Sequence, residues 1–177
     1  VDTDPVKAAQ ALGNPHICKM LIESAQMLST AHRILDGKEY IDSSSGRKIK
    51  RWSLDDNREH ILYKATHINH PSNVWVRTSV ENYLWLVEHM FAIGEEYTYR
   101  YGKRHKSIVN LGYTLQSPPF NLKSYDMTQI PSCMPEEYIL GSQDPVANYR
   151  NYYKYAKVNM HTWKNRTPPT WLNIKDD

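Results

Sequence analysis

The amino-acid sequence predicts a mainly α protein. One compact helical domain is expected over residues 1–177, with a polar loop insertion at about 38–58 and an irregular proline-rich connector. Three observations predict it. Asp4-Pro5, Asn14-Pro15 and Asp144-Pro145 each set a capping side chain directly before a proline, a pattern of helix starts. Residues 14–36 and 79–103 repeat apolar side chains with the helix period. No segment carries a strong strand signal, and glycines total only seven. A chain of 177 residues is long enough to bury a real core.

The elements follow in order. "TDPVKAAQAL" starts a short helix with Asp4 as its cap, and Gly13 ends it. Asn14 is expected to cap the long second helix, which runs to about 36–37. Its core face is Ile17, Met20, Leu21, Ser24, Met27, Leu28, Ala31 and Leu35. Cys18 is placed in the core half of that helix. Residues 38–58 read as a mobile loop or short hairpin, and "EHILYKAT" (59–66) as a short helix. Pro71 and Ser72 break and restart the chain. Ser79 caps the central helix, whose apolar stripe includes Val80, Tyr83, Leu86, Val87, Met90 and Ile93. "KSIVNLGYTL" adds a short helix. Pro118, Pro119, Pro131 and Pro135 mark residues 116–135 as the irregular connector, and a last helix opens at Asp144-Pro145.

Composition narrows the function classes. No apolar run approaches the ~20 residues that cross a bilayer, so no membrane partner is expected. Residues 1–15 lack the basic and apolar regions of a signal peptide. Two cysteines are too few for a disulfide framework or a cysteine zinc site, so a reducing cytosol is the default compartment. Net charge is only +3 but unevenly spread. No acid lies between Glu96 and Asp126, or between Asp144 and Asp176, while cations fill both intervals. The chain has 13 Tyr and 5 Trp against 2 Phe, and many of the tyrosines stand among those cations, notably in "EEYTYRYGKRHK" and "NYRNYYKYAK". Cation plus flat ring can grip phosphate and stack bases. It equally suits a wet protein–protein interface.

Four constellations carry chemistry. His16, Lys19, Glu23, Gln26, Thr30 and Arg33 fall three and four apart on one helix face. They read either as a solvated face with a Lys19–Glu23 ion pair, or as acid–base groups holding an anion around Glu23. In "THINHPSNVWVR", His67 and His70 have a spacing too weak for a metal site. His70 with Arg77 reads as a phosphate clamp, or the histidines as turn caps. No metal and no cofactor is expected. Arg100, Lys103, Arg104 and Lys106 close the central helix with more charge than its dipole calls for, and read as a nucleic-acid-binding patch. Arg150 and Lys154 extend that chemistry into the last helix. In "TWKNRTPPTW" the tryptophans latch the tail to the core or stack on a base.

"HICKMLIESAQMLSTAHRILDGK", with "NHPSNVWVR" and the aromatic-basic helix, resembles a family of small proteins encoded by tailed phages, over nearly the whole chain. If the chain is phage-encoded, the cytosol concerned is the host's. More distantly, His16 and Glu23 seven residues apart, Gly37-Lys38 after the helix, and Pro169-Thr170-Trp171 resemble the phage pyrimidine-dimer DNA glycosylases of the endonuclease V type. That resemblance implies a helical fold and a double-stranded DNA partner. It implies an N-terminal α-amine that attacks the sugar C1′ and forms an imine, with Glu23 stabilising the cationic sugar. His16, Lys19 and Arg33 would hold phosphates. The family's threonine has no match here: Val1 precedes Asp2, Thr3 and Asp4, and Lys19 stands as a substitute amine. Two other readings remain open at this point. One is a non-enzymatic module that binds nucleic acid or a host protein. The other is an enzyme on a nucleotide or other small anion. Burial of Glu23 beside His16 in a pocket would favour an enzyme.

Overall fold

The computed structural model describes residues 2–172. Two long helices, α2 (Asn14–Asp36) and α5 (Val80–Tyr101), pack on each other at its centre. Helix α1 (Pro5–Gln10) lies on α5, and its Asp4 carboxylate accepts from the Val6 and Lys7 N–H groups, as expected. The start of α2 departs from expectation. Gly13 is its N-cap residue, and the Asn14 side-chain Oδ1 instead accepts from Arg100 and from the Lys164 N–H. Ile17, Leu21, Ser24, Leu28 and Ala31 are buried on the expected core face, with Met20, Met27 and Leu35 half-buried. Cys18 is a correction. It is exposed, about a quarter turn off the core axis, with its Sγ 3.6 Å from His105 Nε2.

The polar segment after α2 is a hairpin. Strands β1 (Lys38–Asp42) and β2 (Ile49–Ser53) pair antiparallel with Lys38 opposite Ser53, and Gly46 (φ 78°) turns between them. The helix expected over 59–66 is cut to one turn, α3 (Arg58–Ile61). The reason is that α2 offers the following backbone other partners. Ser29 Oγ accepts from Tyr63 N–H and Thr30 Oγ1 from Thr66 N–H. Arg33 donates to the carbonyls of Trp52, Glu59, Leu62 and Tyr63 and to the Glu59 carboxylate at 2.7 Å. Extended chain is satisfied here without helical bonds.

Helix α4 (Pro71–Val76) is capped by the His70 ring, and α6 (Lys106–Leu115) by the His105 ring. Ser79 caps α5, which ends at Gly102 (φ 70°). The connector is irregular, as its prolines demand. It is tied down by the Asp36 carboxylate, which accepts from Phe120 and Asn121 N–H, and by an Asn82–Thr128 pairing. Helix α7 (Pro145–Ala156) then opens on the Asp144 cap. Seven α-helices, three single-turn 3-10 helices and one two-stranded sheet make up the regular structure of the described residues. The fold is mainly α, and no helix among them is long and apolar enough to cross a membrane.

The larger core cluster joins α2, α4, α5 and α6 around Leu28, Val76, Tyr83, Met90 and Leu115. The smaller one joins Leu12, Ile17, Leu21, Ile93 and Tyr153. Trp163 and Trp171 pack on it, with Trp163 Nε1 donating to the Ala11 carbonyl. Trp163 and Trp171 thus latch the segment after α7 over the start of α2.

Candidate active site

A cavity of about 570 Å³ opens between the first half of α2, the α4 region, α5 and α7. Helix α2 contributes His16, Lys19, Glu23 and Gln26 to its wall. The six-residue stripe therefore has two fates. Its first four members face the cavity. Thr30 and Arg33 are buried under the segment that follows the hairpin. Arg33 is a correction as a phosphate ligand: it is 3% exposed and all five of its N–H donors are taken within the protein.

His16 is 7% exposed, and its Nδ1 lies 3.0 Å from the Tyr153 hydroxyl. That hydroxyl also accepts from Gly13 N–H at 2.8 Å. Burial, helped by the Lys157 and Lys19 charges, lowers the His16 pKa to about 4, so the ring is uncharged near neutral pH. One turn on, Lys19 Nζ stands 3.7 Å from Glu23 Oε1. Their side chains are 57% and 43% exposed, so Glu23 sits on the cavity's open side rather than on a dry floor. The Glu23 side chain there lines the cavity and can meet a bound molecule.

The opposite wall comes from the chain around α4. His67 takes a left-handed backbone (φ 48°) and lines the cavity with His70 and Asn73. The Asn73 amide donates to the Thr66 and His67 carbonyls at 2.9 and 3.2 Å, which fixes its orientation. Its buried Oδ1, and the buried Ser24 Oγ, have no hydrogen-bond partner among the described residues. His70 and Arg77 do not form a clamp. The His70 ring accepts from Ser72 N–H to cap α4. Arg77 donates to the Ile68 carbonyl at 2.6 Å, away from the cavity lining, and burial lowers its pKa. No group of three or more potential metal ligands converges among the described residues.

The other predicted cations disperse. Arg100 is a correction: it is buried, and it binds Glu96 at 2.8 Å, the Leu12 and Gln10 carbonyls, and Asn14. Lys103, Arg104 and Lys106 are exposed at the α5–α6 corner. That corner meets α2 through His105 and Cys18, and Cys18 points from the flank opposite His16 and Glu23. The basic patch therefore does not line the cavity. Arg150 pairs with Asp2 at 3.0 Å and lies over the Trp171 ring. Lys154 lies over Tyr155. Val1, the expected amine, is outside the described residues, while the adjoining Asp2 is on the cavity wall.

Sequence reasoning did not single out Tyr149, Tyr152, Tyr153 and Lys157, all cavity residues on or just past α7. Their signal was present. In "NYRNYYKYAK" Tyr152 and Tyr153 follow Tyr149 by three and four positions and Lys157 follows Tyr153 by four, so they share a helix face. That segment reads first as a basic surface, and the period of its tyrosines is the finer clue.

Three buried histidines give the protein an expected acid sensitivity. Desolvation holds His16, His32 and His89 at about 4, below the unfolded value of 6.5. Above 6.5 each is uncharged in both states and contributes nothing to the slope. Between 6.5 and 4 only the unfolded chain takes up these protons, so stability falls across that window, by about 3 kcal/mol per histidine. Melting temperatures recorded from neutral pH to about pH 4 should decline from near 6.5. A flat profile between about pH 7 and 5 would contradict it.

Comparison with family models, with curated proteins and with solved structures finds no match for this chain.

Proposed function

We propose that this chain is an enzyme acting on DNA, excising a damaged or modified base and cleaving the strand at the abasic sugar. One observation carries the reading. His16, Lys19 and Glu23 line a single cavity whose volume, about 570 Å³, lies in the range of small-ligand sites and accommodates an extruded nucleotide. An amine attacks the sugar C1′ as the C–N bond to the base breaks, and the base leaves with its electron pair and takes a proton. The attached nitrogen gives up one proton and the C1′–O4′ bond of the sugar ring breaks, O4′ leaving with its electron pair and taking a proton, so that C1′ becomes a protonated imine. Removal of a C2′ proton then expels the 3′ phosphate. The amine is the N-terminal one or Lys19. Glu23 supports the cationic sugar and moves the C2′ proton. His16 offers its ring N–H to an oxygen of the substrate. Aromatic walls from Trp75, Trp85 and Tyr152 suit a flat base.

The test is a covalent trap. Incubation with abasic or ultraviolet-damaged duplex, followed by borohydride, should give a protein–DNA adduct and nicked strands. Neither adduct nor cleavage, with the native N-terminus in place, ends the imine reading.

A second reading has its own support. Lys19 and Lys157 are the cations of the cavity wall, and the exposed basic corner is on another flank. That arrangement suits a free nucleotide as substrate. Salt separates the two: duplex DNA binding falls steeply with salt as phosphate contacts are lost, and a free nucleotide responds far less.

A further inference from the structure

We infer that Tyr153 is a positioning residue of this site, holding His16 in the tautomer that presents its Nε2–H to the cavity. The inference rests on reading this cavity as the reactive site, but its hydrogen-bond logic is independent of substrate.

The Gly13 N–H can only donate, so the Tyr153 oxygen accepts it at 2.8 Å. The phenol has one hydrogen left to place. Among the described residues, the other group within bonding distance of it is His16 Nδ1, at 3.0 Å. If Nδ1 carried a proton, that proton would compete with Gly13 for the same oxygen, and the phenol hydrogen would be buried without an acceptor. Both groups are satisfied only when Tyr153 donates to Nδ1. The His16 proton then sits on Nε2, for which no described residue is a partner.

Tyr153 is built to hold this pose. It is 5% exposed, and His161 stacks on its ring at 5.6 Å and 20° while donating Nε2–H to its carbonyl. Trp171 meets the ring edge-on at 6.1 Å. Gly13 is what lets the phenol reach the backbone. A Cβ there would lie 1.8 Å from the Met160 carbonyl oxygen and 3.1 Å from the Tyr153 hydroxyl. The consequence for chemistry is directional. With Nδ1 occupied, His16 serves the cavity as a hydrogen-bond donor to a substrate oxygen or nitrogen, and it is not the base of the reaction.

The test reads the tautomer directly. Two-bond proton–nitrogen correlation spectra of the ¹⁵N-labelled protein, with His16 assigned through a His16→Gln variant, should show His16 as a single Nε2–H species in the unmodified chain. Tyr153→Phe should lose that signature and give mixed tautomers, while His161 keeps its own. An Nδ1–H ring in the unmodified protein overturns the inference without recourse to any variant. So does a Tyr153→Phe spectrum with His16 unchanged. A correct tautomer beside a failed borohydride trap would refute the proposed reaction and leave the positioning role standing.

Discussion

Glu23→Gln lowers strand cleavage by about 10²–10⁴-fold and leaves DNA affinity unchanged, the signature of a lost acid–base group. The substitution preserves shape and a hydrogen-bonding tip. It removes the charge proposed to support the sugar cation and the lone pair proposed to take the C2′ proton. Stability should move little. Glu23 is half-exposed, and its ion pair with Lys19 is a solvated i,i+4 contact of the kind that contributes little to stability. The measurement is paired: single-turnover cleavage of abasic duplex, and equilibrium binding to the same duplex. Cleavage by the variant at the unmodified rate refutes the role given to Glu23. Equal loss of binding and cleavage would instead mark it as a substrate-holding group.

Arg100→Met destabilises the fold by about 3–5 kcal/mol, a large part of what a domain of this size holds. Its guanidinium bonds Glu96, the Leu12 and Gln10 carbonyls and Asn14, clamping the end of α5 to the α1–α2 junction. Glu96 keeps its two bonds to Arg166, but the carbonyls at the end of α1 lose their donor inside the protein. Urea unfolding monitored by circular dichroism should show the drop in midpoint. A variant as stable as the parent, with a shallower salt dependence of DNA binding, would return Arg100 to the phosphate-binding role its neighbours in sequence suggest.

Arg33 and Arg100 explain why basic residues were the least legible part of the site. An arginine on a helix reads the same whether it faces water, a phosphate or a ring of backbone carbonyls. Its surroundings here come from segments far along the chain: Trp52, Glu59 and Tyr63 for Arg33, and Gln10 and Leu12 for Arg100. Histidine was ambiguous in the same way. His70 and His105 spend a ring nitrogen capping helices, while His16 turns into the cavity.

Periodicity and capping were readable because they are local. Asp4, Ser79 and Asp144 meet their own helix's first N–H groups, two or three residues ahead. The buried faces of α2 and α5 follow from 3.6 residues per turn. The sharing of one helix face by His16, Lys19, Glu23 and Gln26 follows for the same reason. What lies across from that face depends on contacts between residues far apart in the chain, where loop closure and tail packing decide. Only the tertiary structure sets Tyr153 against His16 and Gly13, brings Asn73 opposite Glu23's helix, and sends the Lys103–Lys106 corner to the other flank. The sequence by itself determined which helix carries the candidate site's polar face. The fold determined which of its residues reach the cavity, because burial of a side chain is settled by what packs over it and not by its place on the helix.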